Sequence, residues 1–177
     1  MTYGVYVHFP YCLTKCPYCD FNSFVAPAIP HVRYADAVLR EIGTRHPDFA
    51  GSPATLYFGG GTPGLWEPTQ LSRVVELALS IGLSHGAEIT VEANPGALET
   101  PSLAAIRKAG ANRISFGCQS FHDRHLATLG RRHDAGEALE APQKARDAGF
   151  ENLSLDLIFG IPGQTLAKWR ADLDRAI

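Results

Sequence analysis

Gly4-Val5-Tyr6-Val7-His8-Phe9-Pro10-Tyr11-Cys12-Leu13-Thr14-Lys15-Cys16-Pro17-Tyr18-Cys19-Asp20 is the stretch on which the reading of this chain turns. A β-branched and aromatic run, Gly4–Phe9, leads straight into three of the four cysteines, spaced C-x3-C-x2-C. Three thiolates on a short loop suit an iron–sulfur cluster that receives three protein ligands and leaves one iron open to a small molecule. Zinc would take a closed set of four ligands, often two CxxC pairs, and no second pair exists in the sequence. A disulfide framework belongs to small secreted chains, which this composition does not resemble.

Outward from that loop, strand-like and helical runs alternate. Strands are expected at Gly4–Phe9, Thr55–Gly59, Glu88–Glu92, Arg113–Gly117 and Asn152–Ile158. Helices are expected at Val32–Arg45, Thr69–Ile81, Pro101–Ala109, Gly136–Ala148 and Leu166–Ile177. Thr100 and Asp134 stand where N-caps belong, and Gly110 and Gly149 where helices stop. Strands separated by helices imply βαβ units and a parallel sheet, an α/β fold.

Parity adds a second constraint. Val5, Val7 and Phe9 oppose Tyr6 and His8; Ile89, Val91 and Ala93 oppose Thr90, Glu92 and Asn94. Ile114, Phe116 and Cys118 oppose Arg113, Ser115, Gly117 and Gln119, while Leu153, Leu155 and Leu157 oppose Ser154 and Asp156. Strand faces alternate with period two, so each strand buries one apolar face under helices and turns a polar face elsewhere. A packed (β/α) barrel fills its interior with Val, Ile and Leu; a polar interior argues for an enclosed ligand. The alternative is a one-sided antiparallel sheet with its polar face in water, against which the long helical runs between strands count.

The chain has 177 residues, about one domain, with 45% hydrophobic and 19% charged residues, as in an ordinary globular protein. A net charge of −2 gives no basis for a nucleic-acid partner. No apolar run reaches membrane-span length and no signal-peptide layout opens the chain, so a cytoplasmic location is expected. The last ten residues read as a helix with no stop signal, and a C-terminally truncated chain is expected.

Candidate ligand contacts gather at strand ends. Gly59-Gly60-Gly61-Thr62-Pro63 would let a ligand approach the backbone, because no Cβ intervenes. Glu92, Gln119 and Asp156 share the polar face, where α/β folds place their chemistry. Of the seven histidines only His8 has interior parity; the others are expected to face solvent. Cys118 has apolar parity and is read as core, not as a fourth ligand.

The cysteine spacing, with Tyr18 just before the third cysteine, resembles the radical S-adenosylmethionine (SAM) superfamily. In that family a [4Fe-4S] cluster holds SAM on its open iron and cleaves it to a 5′-deoxyadenosyl radical. YVHFPYC, CPYCDFNS, YFGGGTPGLW, TVEANPG, RISFGCQSF, LGRRH and LDLIFGIPGQT together resemble its HemN/HemW branch of oxygen-independent coproporphyrinogen III oxidases and heme chaperones. The resemblance covers essentially the whole chain and implies a partial (β/α)6 barrel of about five βα units. It assigns Cys12, Cys16 and Cys19 to the cluster. It assigns Tyr6, Tyr18, Gly60, Gly61, Thr62, Glu92, Gln119, Arg131 and Asp156 to SAM, with Arg131 rather than Arg132 on the SAM carboxylate.

Within the branch, the early cluster loop and the CPYCDFNS form resemble the chaperone. This implies heme as a further ligand, delivered to heme-accepting apo-proteins, and a flavodoxin-like electron donor. Alternatives are an oxidase decarboxylating a porphyrinogen, and a cluster-binding fragment without turnover; whether the chain is an enzyme, and which residues would be catalytic, stays open. Residues 1–177 would form a radical SAM core lacking the family's sixth βα unit and C-terminal domain, and thus leaving an open sheet edge beside the first strand.

Overall fold

The computed structural model describes residues 1–100 and 102–177. In chain order the elements are β1 (Thr2–Phe9), β2 (Tyr11–Cys12), β3 (Phe24–Val25), α1 (His31–Arg45), β4 (Ser52–Gly60), α2 (Pro68–Ser80) and β5 (Glu88–Ala93). There follow α3 (Leu103–Lys108), β6 (Arg113–Gln119), α4 (Asp123–Thr128), α5 (Ala135–Asp147), β7 (Asn152–Leu157) and α6 (Leu166–Ala176), with short 3-10 turns at His46–Asp48 and Pro63–Leu65. The long strands form one five-stranded sheet in the order β1-β4-β5-β6-β7, every pair parallel. Each strand pairs with the next long strand in sequence, so the sheet winds one way and β1 and β7 are its edges.

Each expected strand is present; four are lengthened by a few residues and β7 ends one residue early, at Leu157. Helix ends follow local chemistry. Asp134 closes a capping box with Glu137, each side chain accepting the other residue's backbone N–H. Pro68 occupies the first turn of α2, where its missing N–H costs nothing. Gly110 and Gly149 take φ of +111° and +88° as α3 and α5 end, the left-handed stop expected of them.

Three expectations are corrected. The N-cap of α3 is Ser102, whose hydroxyl accepts from the Ala105 N–H. Thr100 is buried and instead donates to the Asn94 carbonyl at 2.8 Å, and Pro101 lies outside the described residues. α4 was not expected: its six residues are too few for a helical period to show. His125 and His133 are buried, not solvent-facing: His125 Nδ1 lies 3.2 Å from Ser120 Oγ, and His133 Nε2 3.1 Å from the Cys118 carbonyl.

The apolar parity set forms the core as expected in the central strands, while Val5 of β1 and Leu153, Leu155 and Leu157 of β7 are only partly buried against it. Phe9, Leu56, Phe58, Val91, Ile114, Phe116 and Cys118 are buried, together with Leu71 and Val74 of α2 and Ala138, Ala141 and Ala145 of α5. Trp66 is the centre of an aromatic cluster beneath the first loops. It stacks on Phe9 at 5.2 Å, meets Tyr34 and Phe58 edge-on, and donates its indole N–H to the His31 carbonyl at 3.2 Å. Trp66→Ala should therefore lower unfolding free energy by about 3–5 kcal/mol. Urea denaturation checks this, and a loss under about 1 kcal/mol would contradict the central role given to the indole.

Candidate functional site

At the carboxyl ends of the strands the polar face opens into a cavity of about 420 Å³, within the size range of small-molecule sites. Its walls bring together Cys12, Cys16, Cys19, Tyr18, Gly60, Gly61, Thr62, Glu92, Gln119, Arg131 and Asp156. Tyr6 does not line it. That ring stacks on Tyr57 at 6.0 Å, and its hydroxyl lies 3.2 Å from His8 Nδ1. Nor does His8 line it: Nε2 turns to the Asn22 carbonyl at 2.8 Å, and the ring packs under Gly60.

The cysteine loop is held from two sides. β2 and β3 pair at its mouth, and the Phe24 N–H donates to the Pro10 carbonyl at 2.9 Å. Inside the loop, Lys15 Nζ donates to the Phe21 and Ser23 carbonyls at 2.6 and 3.0 Å and to the Ser23 hydroxyl at 3.0 Å. The glycine run after β4 closes against it, with Gly61 N–H on the Phe9 carbonyl at 2.6 Å and Thr62 N–H on the Tyr11 carbonyl at 2.9 Å. A Cβ at Gly61 would stand 2.9 Å from Cys12 Sγ and 2.7 Å from the Tyr11 carbonyl, so the contact requires glycine.

Arg131 ties this loop to the sheet. α4 ends in a Schellman turn: Gly130 takes φ +66°, its N–H donates to the Ala127 carbonyl, and the Arg131 N–H donates to the Leu126 carbonyl. A Cβ on Gly130 would come within 2.8 Å of Pro17 Cδ, so the same glycine also seats the cysteine loop. The turn aims the Arg131 guanidinium inward. Nη2 donates to the Asn94 side chain and, at 2.9 Å, to the Gly117 carbonyl; Nη1 lies 3.7 Å from Cys16 Sγ and 3.4 Å from the Tyr18 hydroxyl. Arg132 stays exposed at the rim.

Glu92 accepts from Tyr57 Oη at 2.7 Å and from the Gly60 N–H at 3.0 Å. Burial, then the Glu92 carboxylate, pushes the Tyr57 phenol above its ordinary value, so it stays a donor. A polar ladder backs Asp156: Arg113 Nη2 donates to Ser154 Oγ at 2.8 Å, Ser154 to Ser115 Oγ at 2.7 Å, and Ser115 reaches Asp156 at 3.5 Å. Burial raises the Asp156 pKa, opposed by Ser115 and Arg113. Gln119 sits on an irregularity in the β6–β7 register with φ +66°. Cys118 is fully buried with its thiol pushed up to about 12 by burial, consistent with a core residue.

The donor set fits a sulfur-ligated cluster. All three loop cysteines are free thiols lining one cavity. In a cubane each thiolate binds its own iron, so three thiols on one cavity wall can serve three of its irons. Tyr57 and Asn94, which orient Glu92 and Arg131, were not singled out from sequence. Asn94 shares the parity of Glu92, but nothing in its own motif indicates a guanidinium partner from thirty-seven residues on.

Over residues 6–176 the chain matches the family described as the Radical SAM superfamily. It is 38% identical over 177 residues to the heme chaperone HemW of Escherichia coli, covering 98% of this chain and 47% of that protein. It is 35% identical to the mitochondrial radical S-adenosyl methionine domain-containing protein 1 of Danio rerio, covering 98% and 40% of the two chains. The solved coproporphyrinogen III oxidase HemN of Escherichia coli superposes with a TM-score of 0.84 at 34% identity, over 97% of this chain and 40% of that one. The chain thus spans about half the length of the curated relatives it matches.

His133 lies directly behind Arg131, with Nε2 3.1 Å from the Cys118 carbonyl. Burial, then the Arg131 charge, pushes its imidazole down to about 4 from 6.5. The unfolded chain therefore takes up this proton first, and stability present above pH 6.5 is lost as pH falls towards 4. His133→Gln, which keeps a donor for the carbonyl, should flatten the change in urea midpoint between about pH 7 and about pH 5.5. An unchanged slope would assign that pH dependence to other groups.

Proposed function

The chain belongs to the radical SAM superfamily, and from that premise we propose that it carries a [4Fe-4S] cluster on Cys12, Cys16 and Cys19 and binds SAM beside it, serving as the core of a HemW-like heme chaperone. The carrying observation is the single cavity walled by all three thiols, the glycine run and the polar strand ends. A reduced cluster of this kind supplies the electron that cleaves SAM.

The chain's own residues do the holding. Gly60 and Gly61 let the methionine end of SAM lie against the backbone, and Glu92, fixed by Tyr57, accepts from its ammonium group. Tyr6 acts through its stack on Tyr57. Arg131 offers the SAM carboxylate its guanidinium, and Tyr18 flanks it from the cysteine loop. Gln119 and Asp156 face the nucleoside with an amide and a carboxylate, the groups that pair with ribose hydroxyls. Thr62, buried in the cavity wall, lies 3.5 Å from the Asn94 side chain that holds Arg131. Lys15 and the β2–β3 pair hold the cysteine loop in place around the cluster.

Heme delivery to apo-proteins is the reading favoured by 38% identity to a heme chaperone. Porphyrinogen oxidation is the second reading, favoured by the 0.84 TM-score against the oxidase. An electron donor of the flavodoxin kind belongs to either.

Anaerobic reconstitution with iron and sulfide, followed by EPR of the reduced chain with and without SAM, tests the core of this reading. The expected result is a [4Fe-4S]+ signal that changes on adding SAM, and loss of the absorbance near about 400 nm in Cys16→Ala. A Cys16→Ala chain that keeps that band and its full iron content would overturn the ligand assignment. Heme titration then separates the two readings: stoichiometric heme uptake favours the chaperone, and porphyrinogen decarboxylation favours the oxidase.

A further inference from the structure

Asp172 of α6 is fully buried, yet nothing in the cofactor site calls for it. A buried carboxylate persists only where its hydrogen bonds offset its desolvation. One oxygen accepts from the Phe121 N–H at 2.8 Å, and the other accepts from Ser120 Oγ at 2.9 Å and from Gln164 Nε2 at 3.4 Å. His122 Nε2 lies 3.8 Å from the first oxygen. One turn later Arg175 Nη1 donates to the Phe121 carbonyl at 2.8 Å, so the last helix grips that residue by both its peptide groups.

The gripped segment begins immediately after Gln119, the one non-glycine residue with positive φ among those described. A glutamine there is strained and stays only where its surroundings over-determine it. On the near side, Arg131 holds the Gly117 carbonyl, His133 holds the Cys118 carbonyl, and the Ile158 N–H holds the Gln119 carbonyl at 2.9 Å. On the far side, α6 holds both peptide groups of Phe121 and the Ser120 hydroxyl, which His125 Nδ1 and the His122 N–H also approach at 3.2 Å.

We propose that Asp172 is a positioning residue: by gripping Ser120 and Phe121 it keeps Gln119 left-handed, with its amide facing the cavity where SAM binds. The choice of SAM as ligand rests on the function proposed above; the clamp itself does not.

Two readouts on the full chain test the two parts. In Asp172→Ala the NMR Cα and Cβ shifts of Gln119 should leave their left-handed values, which simple loss of stability would not do. In the reconstituted chain the dissociation constant for SAM should rise about tenfold in that variant, at unchanged iron and sulfide content. Left-handed shifts retained at Gln119 would overturn the clamp, and an affinity within about twofold of the unsubstituted chain would overturn its positioning role. If the unsubstituted chain binds no SAM, the site reading fails instead, and the NMR shifts still decide the clamp. If Asp172→Ala does not fold, Asp172→Leu, which keeps the bulk and removes both acceptor oxygens, takes the same readouts; values of both equal to those of the unsubstituted chain would overturn the proposal.

Discussion

A parallel sheet wound in one direction, with its helices on one face, must find a use for the other face. Here the apolar parity of the central strands is buried under the helical layer and that of β7 partly so, which leaves Tyr6, Glu92, Gln119, Asp156 and their neighbours on the opposite side. Polar groups gathered at the carboxyl ends of parallel strands are drawn partly out of water, Ser115 and Thr62 among them. They either pair with one another, as Arg113, Ser154, Ser115 and Asp156 do, or wait for a ligand. The cavity follows from that constraint, and the cysteine loop forms its remaining wall.

Arg131 makes the loop and the sheet one object. A guanidinium with donors in a rigid fork can reach Asn94 and Gly117 on one side and approach Cys16 and Tyr18 on the other. Lysine could not span both. The reach depends on Gly130, which ends α4 in a left-handed turn and leaves room for Pro17. Cavity-lining groups are thereby positioned by elements that do not line the cavity: α4 aims Arg131, and α6 reaches the segment behind Gln119.

Much of this was legible beforehand. Period-two parity marked the polar wall, the cysteine spacing marked the loop, and the capping box at Asp134 and the stop at Gly149 marked α5 closely. α3 was harder: Thr100 and Ser102 are both competent caps, and burial of Thr100 against Asn94 decides between them. The burial of His125 and His133 is not legible in sequence, because they lie on a six-residue helix and a turn, where no hydrophobic period distinguishes inward from outward. Tyr6 has the parity of a wall residue but stands behind Tyr57, a depth that alternation does not encode.

By itself, then, the sequence determined the fold class, the strand faces, the family motifs and the three thiols, because each is written in local periodicity or short spacing. Tertiary structure alone decided which polar groups meet. Asn94 with Arg131, Gly61 with Cys12, and Asp172 with Ser120 and Phe121 are distant in sequence. They become neighbours only when parallel strands bring their carboxyl ends level and helices return to pack beneath them.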